Sequence, residues 1–125
     1  MTRRSQVWVV DDDASIRWVL ERALIDAGLS VRQFRNADEA MGVVDHELPN
    51  VVMTDIRMPG RGGLEFLEIL RDRFPEIPVI VMTAHTDLDN AVSAYRGGAF
   101  EYLPKPFDLD EATALVKRAL ARRTD

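Results

Sequence analysis

Cysteine is absent from all 125 residues, which excludes a disulfide framework, a thiolate metal site and a cysteine nucleophile together. The absence fits a reducing cytoplasm. Long apolar runs are missing as well: none approaches the ~20 residues that a membrane-spanning helix needs. The opening "MTRRSQ" carries two arginines, but Asp11 cuts the apolar stretch behind it, so it does not read as a secretory signal. Basic excess is lacking too. Sixteen Lys and Arg face twenty-one Asp and Glu, a net charge of −5, which argues against a phosphate-backbone binder. There is no internal repeat, linker or low-complexity tract.

What remains is the composition of an ordinary soluble domain, 46% hydrophobic and 30% charged, in a length that suits one core. Its hydrophobic period alternates between two and 3.6. Strand-like runs lie at Val7 to Val10, Val31 to Phe34, Val51 to Met53, Val79 to Met82 and Phe100 to Leu103. Helical stripes lie between them: Ile16, Val19, Leu20, Ala23, Leu24 and Ala27, stopped by Gly28; Leu64, Leu67 and Leu70, stopped by Pro75; and Ala112, Leu115, Val116, Ala119 and Leu120. Five such βα units predict an α/β domain with a parallel sheet and right-handed crossovers. "VWVV", "VVM" and "VIVM" are apolar on both faces, as central strands are, whereas "VRQF" and "FEYL" carry charge, as edge strands do. The doubly wound order 2-1-3-4-5 follows, and ligands in that fold bind where the order reverses, at the ends of strands one and three. After the last helix the tail "ARRTD" turns polar, the pattern expected of one module of a longer protein.

Those two strand ends are strongly acidic. "VWVV" stops on Asp11, Asp12 and Asp13, with no basic residue within three positions of them, and "VVMT" stops on Asp55. Aspartate is a favoured helix N-cap, which accounts for Asp13 or Asp12 but not for all three. Four gathered carboxylates would raise one another's pKa or destabilise the fold, and a divalent cation is the simplest remedy. With oxygen ligands and neither His nor Cys, the candidates are Mg²⁺, Mn²⁺ and Ca²⁺, and Mg²⁺ suits two close carboxylates plus water and a carbonyl best. Asp55 can also act as a nucleophile that takes a phosphoryl group, an attack that needs a metal and a fixed cation nearby. Lys105, held between Pro104 and Pro106, supplies that cation, and an X-Pro bond here can be cis. Thr83 ends the fourth strand, where its hydroxyl can meet a phosphoryl oxygen, and Tyr102 is placed to change rotamer with it.

"VVDDD", "DIRMPG", "MTAH" and "YLPKPFD", in this order, resemble the receiver domains of two-component response regulators, along the whole chain. "DDDASIRWVLERAL" and "MTAHTDLDNAVSAYRGGAFEYLPKPFD" are similar in particular to receivers of the nitrogen-regulatory branch, activators of σ54-dependent transcription. The resemblance implies a flavodoxin-like fold of five strands and five helices. It implies that Asp55 takes a phosphoryl group from a sensor histidine kinase. Asp12 and Asp55 would bind Mg²⁺ with the backbone carbonyl of Arg57, and Asp11 would act through a metal-bound water. Lys105 and Thr83 would hold the phosphoryl group, and Tyr102 would be the second switch residue; Asp13 falls just after the family's acidic pair, and its role rests on the capping preference alone. An attached output domain, a changed oligomer on phosphorylation, and no direct contact with nucleic acid or membrane complete the expectation. One departure is Gly62-Gly63, where a small polar or acidic residue is usual before the glycine; it predicts a looser turn and an uncapped third helix.

The fourth helical segment, "TDLDNAVSAYRGGA", presents only Leu88, Ala91, Val92 and Tyr95 as an apolar stripe, so it reads as a weakly anchored switch element. Trp8 and Trp18 read as packing residues, His46 as a surface helix residue, and His85 as without a catalytic role. Arg118, Arg122 and Arg123 suit the negative end of the last helix dipole. Two rival readings weaken on inspection. "DDDAS" also fits a haloacid-dehalogenase-type phosphatase with Asp11 as nucleophile and Asp13 as general acid, but that leaves Asp55 without a purpose. A flavodoxin-like cofactor site would need a Gly-, Ser- or Thr-rich loop where three aspartates stand.

Overall fold

The computed structural model describes residues 6–57, 62–84 and 88–123. Five strands, β1 (Gln6–Val10), β2 (Ser30–Phe34), β3 (Val51–Asp55), β4 (Val79–Ala84) and β5 (Glu101–Lys105), alternate with α1 (Ala14–Asp26), α2 (Ala37–Met41), α3 (Gly63–Arg73), α4 (Leu88–Arg96) and α5 (Leu109–Arg123). All pairings are parallel and the order is β2-β1-β3-β4-β5, with the two charged strands at the edges as their composition predicts.

Alternation along each strand divides the core in two. Val7, Val9, Val51, Met53, Ile80, Met82 and Leu103 pack under α1 and α5, against Leu20, Leu24, Ala112, Leu115, Val116 and Ala119. Trp8, Val10, Val52, Val79 and Val81 pack under α2, α3 and α4, against Ala37, Ala40, Phe66, Leu67, Leu70 and Ala94. Each fully buried large side chain contributes about 1.5–3 kcal/mol. By that measure α1 and α3 are firmly held, while α4 buries Ala94 alone among its described side chains and leaves Val92 exposed. Val92 therefore departs from the expected apolar stripe, whose other members' side chains lie outside the described residues. No described helix is long and apolar enough to cross a membrane.

Helix α1 stops where Gly28 adopts φ +88°, with Leu29 N–H donating to Leu24 O at 3.0 Å; α4 stops the same way at Gly98, φ +100°, with Ala99 N–H donating to Ala94 O at 3.0 Å. Left-handed backbone of this kind favours glycine because a Cβ would crowd the carbonyl.

Several expectations need correction. Trp18 is 59% exposed, with the Arg22 guanidinium over its ring at 5.7 Å. It stands two positions, about 200°, round the helix from Leu20, so it faces away from the sheet. Trp8 is buried as expected, against Phe34. His46 lies in the turn after α2 rather than in a helix. Arg118 reaches Glu101 of β5 at 3.5 Å, and Arg122, in the last turn of α5, lies over the Phe100 ring at 5.4 Å. Strands β3, β4 and β5 run further than their apolar cores, so that Asp55, Thr83 and Lys105 are themselves strand residues. His85 and the Met-Pro-Gly segment at 58–60 lie outside the described residues.

Candidate functional site

The carboxyl ends of β1 and β3 lie side by side, with Val10 paired to Thr54, and this register brings the acidic residues together. Carboxylate oxygens of Asp11, Asp12 and Asp55 all fall within 4.8 Å of one another. Asp11 is fully buried, Asp55 nearly so, and Asp12 is exposed. Asp13 stands apart from them: its carboxylate accepts from Ser15 N–H at 2.8 Å and Ile16 N–H at 3.4 Å and caps α1, as expected.

Lys105 closes the cluster. From the last position of β5, its Nζ donates to Asp11 Oδ2 at 2.8 Å and lies 3.4 Å from Asp55 Oδ2. The peptide bond that follows, Lys105–Pro106, is cis. Desolvation opposes the ammonium charge, but the hydrogen bond and charge of Asp11, with Asp55 behind, outweigh it and hold Lys105 above its ordinary pKa. Asp55 is pushed up: desolvation is the main cause and the Asp11 charge the second, and Lys105 and the Arg57 backbone N–H only partly offset them. The group is an all-oxygen donor set of three carboxylates in which one member resists ionisation, a chemistry that a small hard cation relieves.

The two oxygens of Asp11 each have a partner, since Oδ1 accepts from Asp13 N–H at 2.9 Å and Oδ2 from Lys105. Asp12 is the exposed member of the three, and Asp55 lies farther from the Lys105 ammonium than Asp11 does.

Thr83 is buried one residue beyond Met82, which pairs with Asp55. Alternation puts it on the α4 side of the sheet, with Val79 and Val81, while Asp55 continues the α1 and α5 side. Tyr102, half-buried on β5 and paired to Val81, takes the same side as Thr83. The two switch candidates therefore share a face of the sheet.

The approach to α3 is tighter than "Gly62-Gly63" suggests. Gly62 does leave α3 without a side-chain cap. Gly63, however, is pressed against the end of β3: its N–H donates to Ile56 O at 2.8 Å, and a Cβ there would meet the Asp55 carbonyl oxygen and stand 2.7 Å from Ile56 Cα. This glycine admits a close backbone approach directly behind Asp55.

A group that the linear pattern did not single out is Arg17. Its Nη1 donates to the backbone carbonyl of Asp11 at 2.6 Å and its Nε to Gln33 Oε1 at 3.1 Å, and Gln33 Nε2 donates to Glu21 Oε2 at 2.8 Å. The only hint in the sequence is a polar Gln33 on an edge strand, which alone does not point to the site.

Residues 7–117 match the model of the response regulator receiver domain. The chain is 59% identical over 119 residues to the DNA-binding transcriptional regulator NtrC of Salmonella typhimurium, covering 95% of this chain and 25% of that protein. It is 41% identical over 120 residues to the C4-dicarboxylate transport transcriptional regulatory protein DctD of Pseudomonas aeruginosa, covering 96% of this chain and 26% of that protein. The chain thus spans about a quarter of the length of these relatives. Among solved structures, the apo receiver domain of nitrogen regulatory protein C superposes with a TM-score of 0.88 at 56% identity, covering 99% of this chain and all of that one. NtrX from Brucella abortus in complex with ADP gives 0.92 at 32% identity, covering 98% of this chain and 28% of that one. With its sheet order, strand-end acids and lysine all in place, the chain belongs to the response regulator receiver domain family and is a regulatory switch module of the two-component type rather than a turnover enzyme.

Proposed function

We propose that this domain accepts a phosphoryl group on Asp55 from the phosphohistidine of a sensor kinase. The supporting observation is the juxtaposition of Asp55 with Asp11, Asp12 and Lys105 at the strand switch point. Asp12, Asp55 and the Arg57 carbonyl would hold Mg²⁺, and Asp11, whose Oδ2 is engaged by Lys105, would act through a bound water. The cation supplies charge neutralisation for the transferring group. A carboxylate oxygen of Asp55 forms the new P–O bond as the donor's P–N bond breaks. The proton of the leaving imidazole stays with the donor. Lys105 then turns from Asp55 to a phosphoryl oxygen, and Thr83 donates its hydroxyl to another. Tyr102 follows on the face it shares with Thr83, and α4, anchored through little more than Ala94 among its described side chains, shifts.

The phosphatase alternative needs Asp13 free as a general acid, yet Asp13 caps α1. The quarter-length match to its relatives supports reading the chain as one module of a longer regulator, which we take to be its N-terminal receiver and to be cytoplasmic. In that regulator a σ54-dependent activator output changes its oligomeric state on phosphorylation, and nucleic acid is contacted by other domains.

Incubation with Mg²⁺ and acetyl phosphate is expected to add one phosphate, mapped to Asp55 at acidic pH and lost with EDTA or in Asp55→Asn. Phosphate on Asp11, or steady phosphate release with Asp55→Asn fully active, would establish the phosphatase instead. In the same sample, hydrogen exchange across residues 85–98 is expected to change; unchanged rates would refute the α4 switch.

A further inference from the structure

Residue 11 is held at every polar atom it has. Its N–H donates to Phe34 O at 3.1 Å, Oδ1 accepts from Asp13 N–H, Oδ2 from Lys105, and its carbonyl from Arg17 at 2.6 Å. The last of these stands out chemically. That carbonyl lies past the end of β1 and belongs to the amide joining Asp11 to Asp12, so whatever fixes it also fixes the Cα from which the exposed Asp12 carboxylate projects. A charge-assisted hydrogen bond is roughly twice as strong as a neutral one. The guanidinium is itself oriented, since Gln33 on β2 takes Nε and is in turn held by Glu21 on α1.

We propose that Arg17 is a positioning residue for the cation site: it locks the Asp11–Asp12 peptide so that Asp12 is presented to Mg²⁺, with Gln33 and Glu21 fixing the guanidinium. The inference rests on the cation reading given above.

A fixed positive charge near a cation site would by itself repel the ion. Arg17 strengthens Mg²⁺ binding only where positioning outweighs that repulsion, and the titration below reads the sign directly. Outer-shell groups that orient ligands commonly change metal affinity by about 10–100-fold.

The test is Mg²⁺ titration of the metal-free domain by calorimetry, paired with the Mg²⁺ dependence of phosphorylation by acetyl phosphate. Arg17→Met is expected to weaken Mg²⁺ binding about tenfold. It should raise the half-saturating Mg²⁺ for phosphorylation while leaving the rate at saturating Mg²⁺ unchanged, a split that lost stability alone would not produce. Arg17→Lys keeps a donor for the carbonyl but not for Gln33, and should recover part of the loss. Gln33→Leu, a change on an edge strand that leaves both cores alone, should weaken binding in the same direction. The pair Arg17→Met with Gln33→Leu should be no worse than Arg17→Met, because the two act as a unit. Unchanged Mg²⁺ affinity in folded Arg17→Met or Gln33→Leu, or tighter binding, would overturn the proposal while leaving the site intact. Absence of Mg²⁺ binding by the unsubstituted domain, with Asp12→Asn as its control, would instead remove the cation reading, and this inference with it.

Discussion

Asp55 is less comfortable ionised in the folded chain than in the unfolded one, because desolvation and the neighbouring Asp11 charge both raise its pKa above the ordinary 3.8. The native state therefore binds more protons at this site than the unfolded state does, and its contribution to stability falls as pH rises above that value. Lys105 shifts in the same direction for a different reason, because its charged form is the one the site favours. Its raised pKa contributes stability that is fully present below its ordinary 10.5 and is lost as pH rises through the folded value. The site thus favours the charged lysine and disfavours the charge on Asp55. Asp55→Asn removes that charge and leaves Lys105 its shorter bond, to Asp11. The substitution is expected to raise the melting temperature of the metal-free domain at pH 7 by a few degrees, the scale of about 1 kcal/mol. The gain should shrink as pH is lowered toward the ordinary carboxylate range; a substitution that destabilised the domain at pH 7 would refute this account.

Elements differ in how they are secured to the sheet. Helix α3 buries Phe66, Leu67 and Leu70 and begins at a glycine whose missing Cβ lets it lie against the Asp55 and Ile56 backbone. Gly63→Ala tests that closeness. Alanine is the better helix former by about 1 kcal/mol, so intrinsic propensity predicts a gain. The clash is with main chain, which cannot swing aside as a side chain can, and a net loss of about 1–3 kcal/mol is expected from overpacking. Urea denaturation gives the sign. Phosphorylation of the folded fraction should also slow, because the displaced backbone carries Asp55. Helix α4 is secured differently, by its C-terminal end: Arg71 Nη1 donates to Gly97 O at 2.9 Å, and Gly97 approaches Leu67. Among its described side chains only Ala94 is buried, and an element with little buried area can move at low cost, as a switch requires.

The whole molecule couples the site to both cores, because Asp11 follows β1 and Asp55 ends β3, two strands whose apolar residues are buried on both sides of the sheet. A cation that binds the assembled cluster and not the unfolded chain must therefore stabilise the entire domain. At a hundredfold excess over its dissociation constant the gain is about 2.7 kcal/mol. Adding Mg²⁺ is expected to raise the melting temperature of the unsubstituted domain and EDTA to reverse it, while Asp12→Asn and Asp55→Asn should show little response. An equal rise in those variants would place the ion elsewhere.

Much of this was legible before any coordinates. A period of two, apolar on both faces in "VWVV", "VVM" and "VIVM" and charged in "VRQF" and "FEYL", determined which strands are central and hence the sheet order, because burial of a strand's faces is written locally along the chain. The same pattern delivered Asp11, Asp12 and Asp55 to one place, and the capping preference of aspartate pointed to Asp13 or Asp12, between which the structure chose Asp13. Only the tertiary structure decided which carboxylate holds Lys105. Asp11 does, from 94 residues away, because strand packing and not sequence spacing sets that distance. It also turned Trp18 outward, made Gly63 a point of close approach, and brought Arg17 to the Asp11 carbonyl. Each of these depends on how one element is rotated or pressed against another, a quantity that no local period along the chain contains.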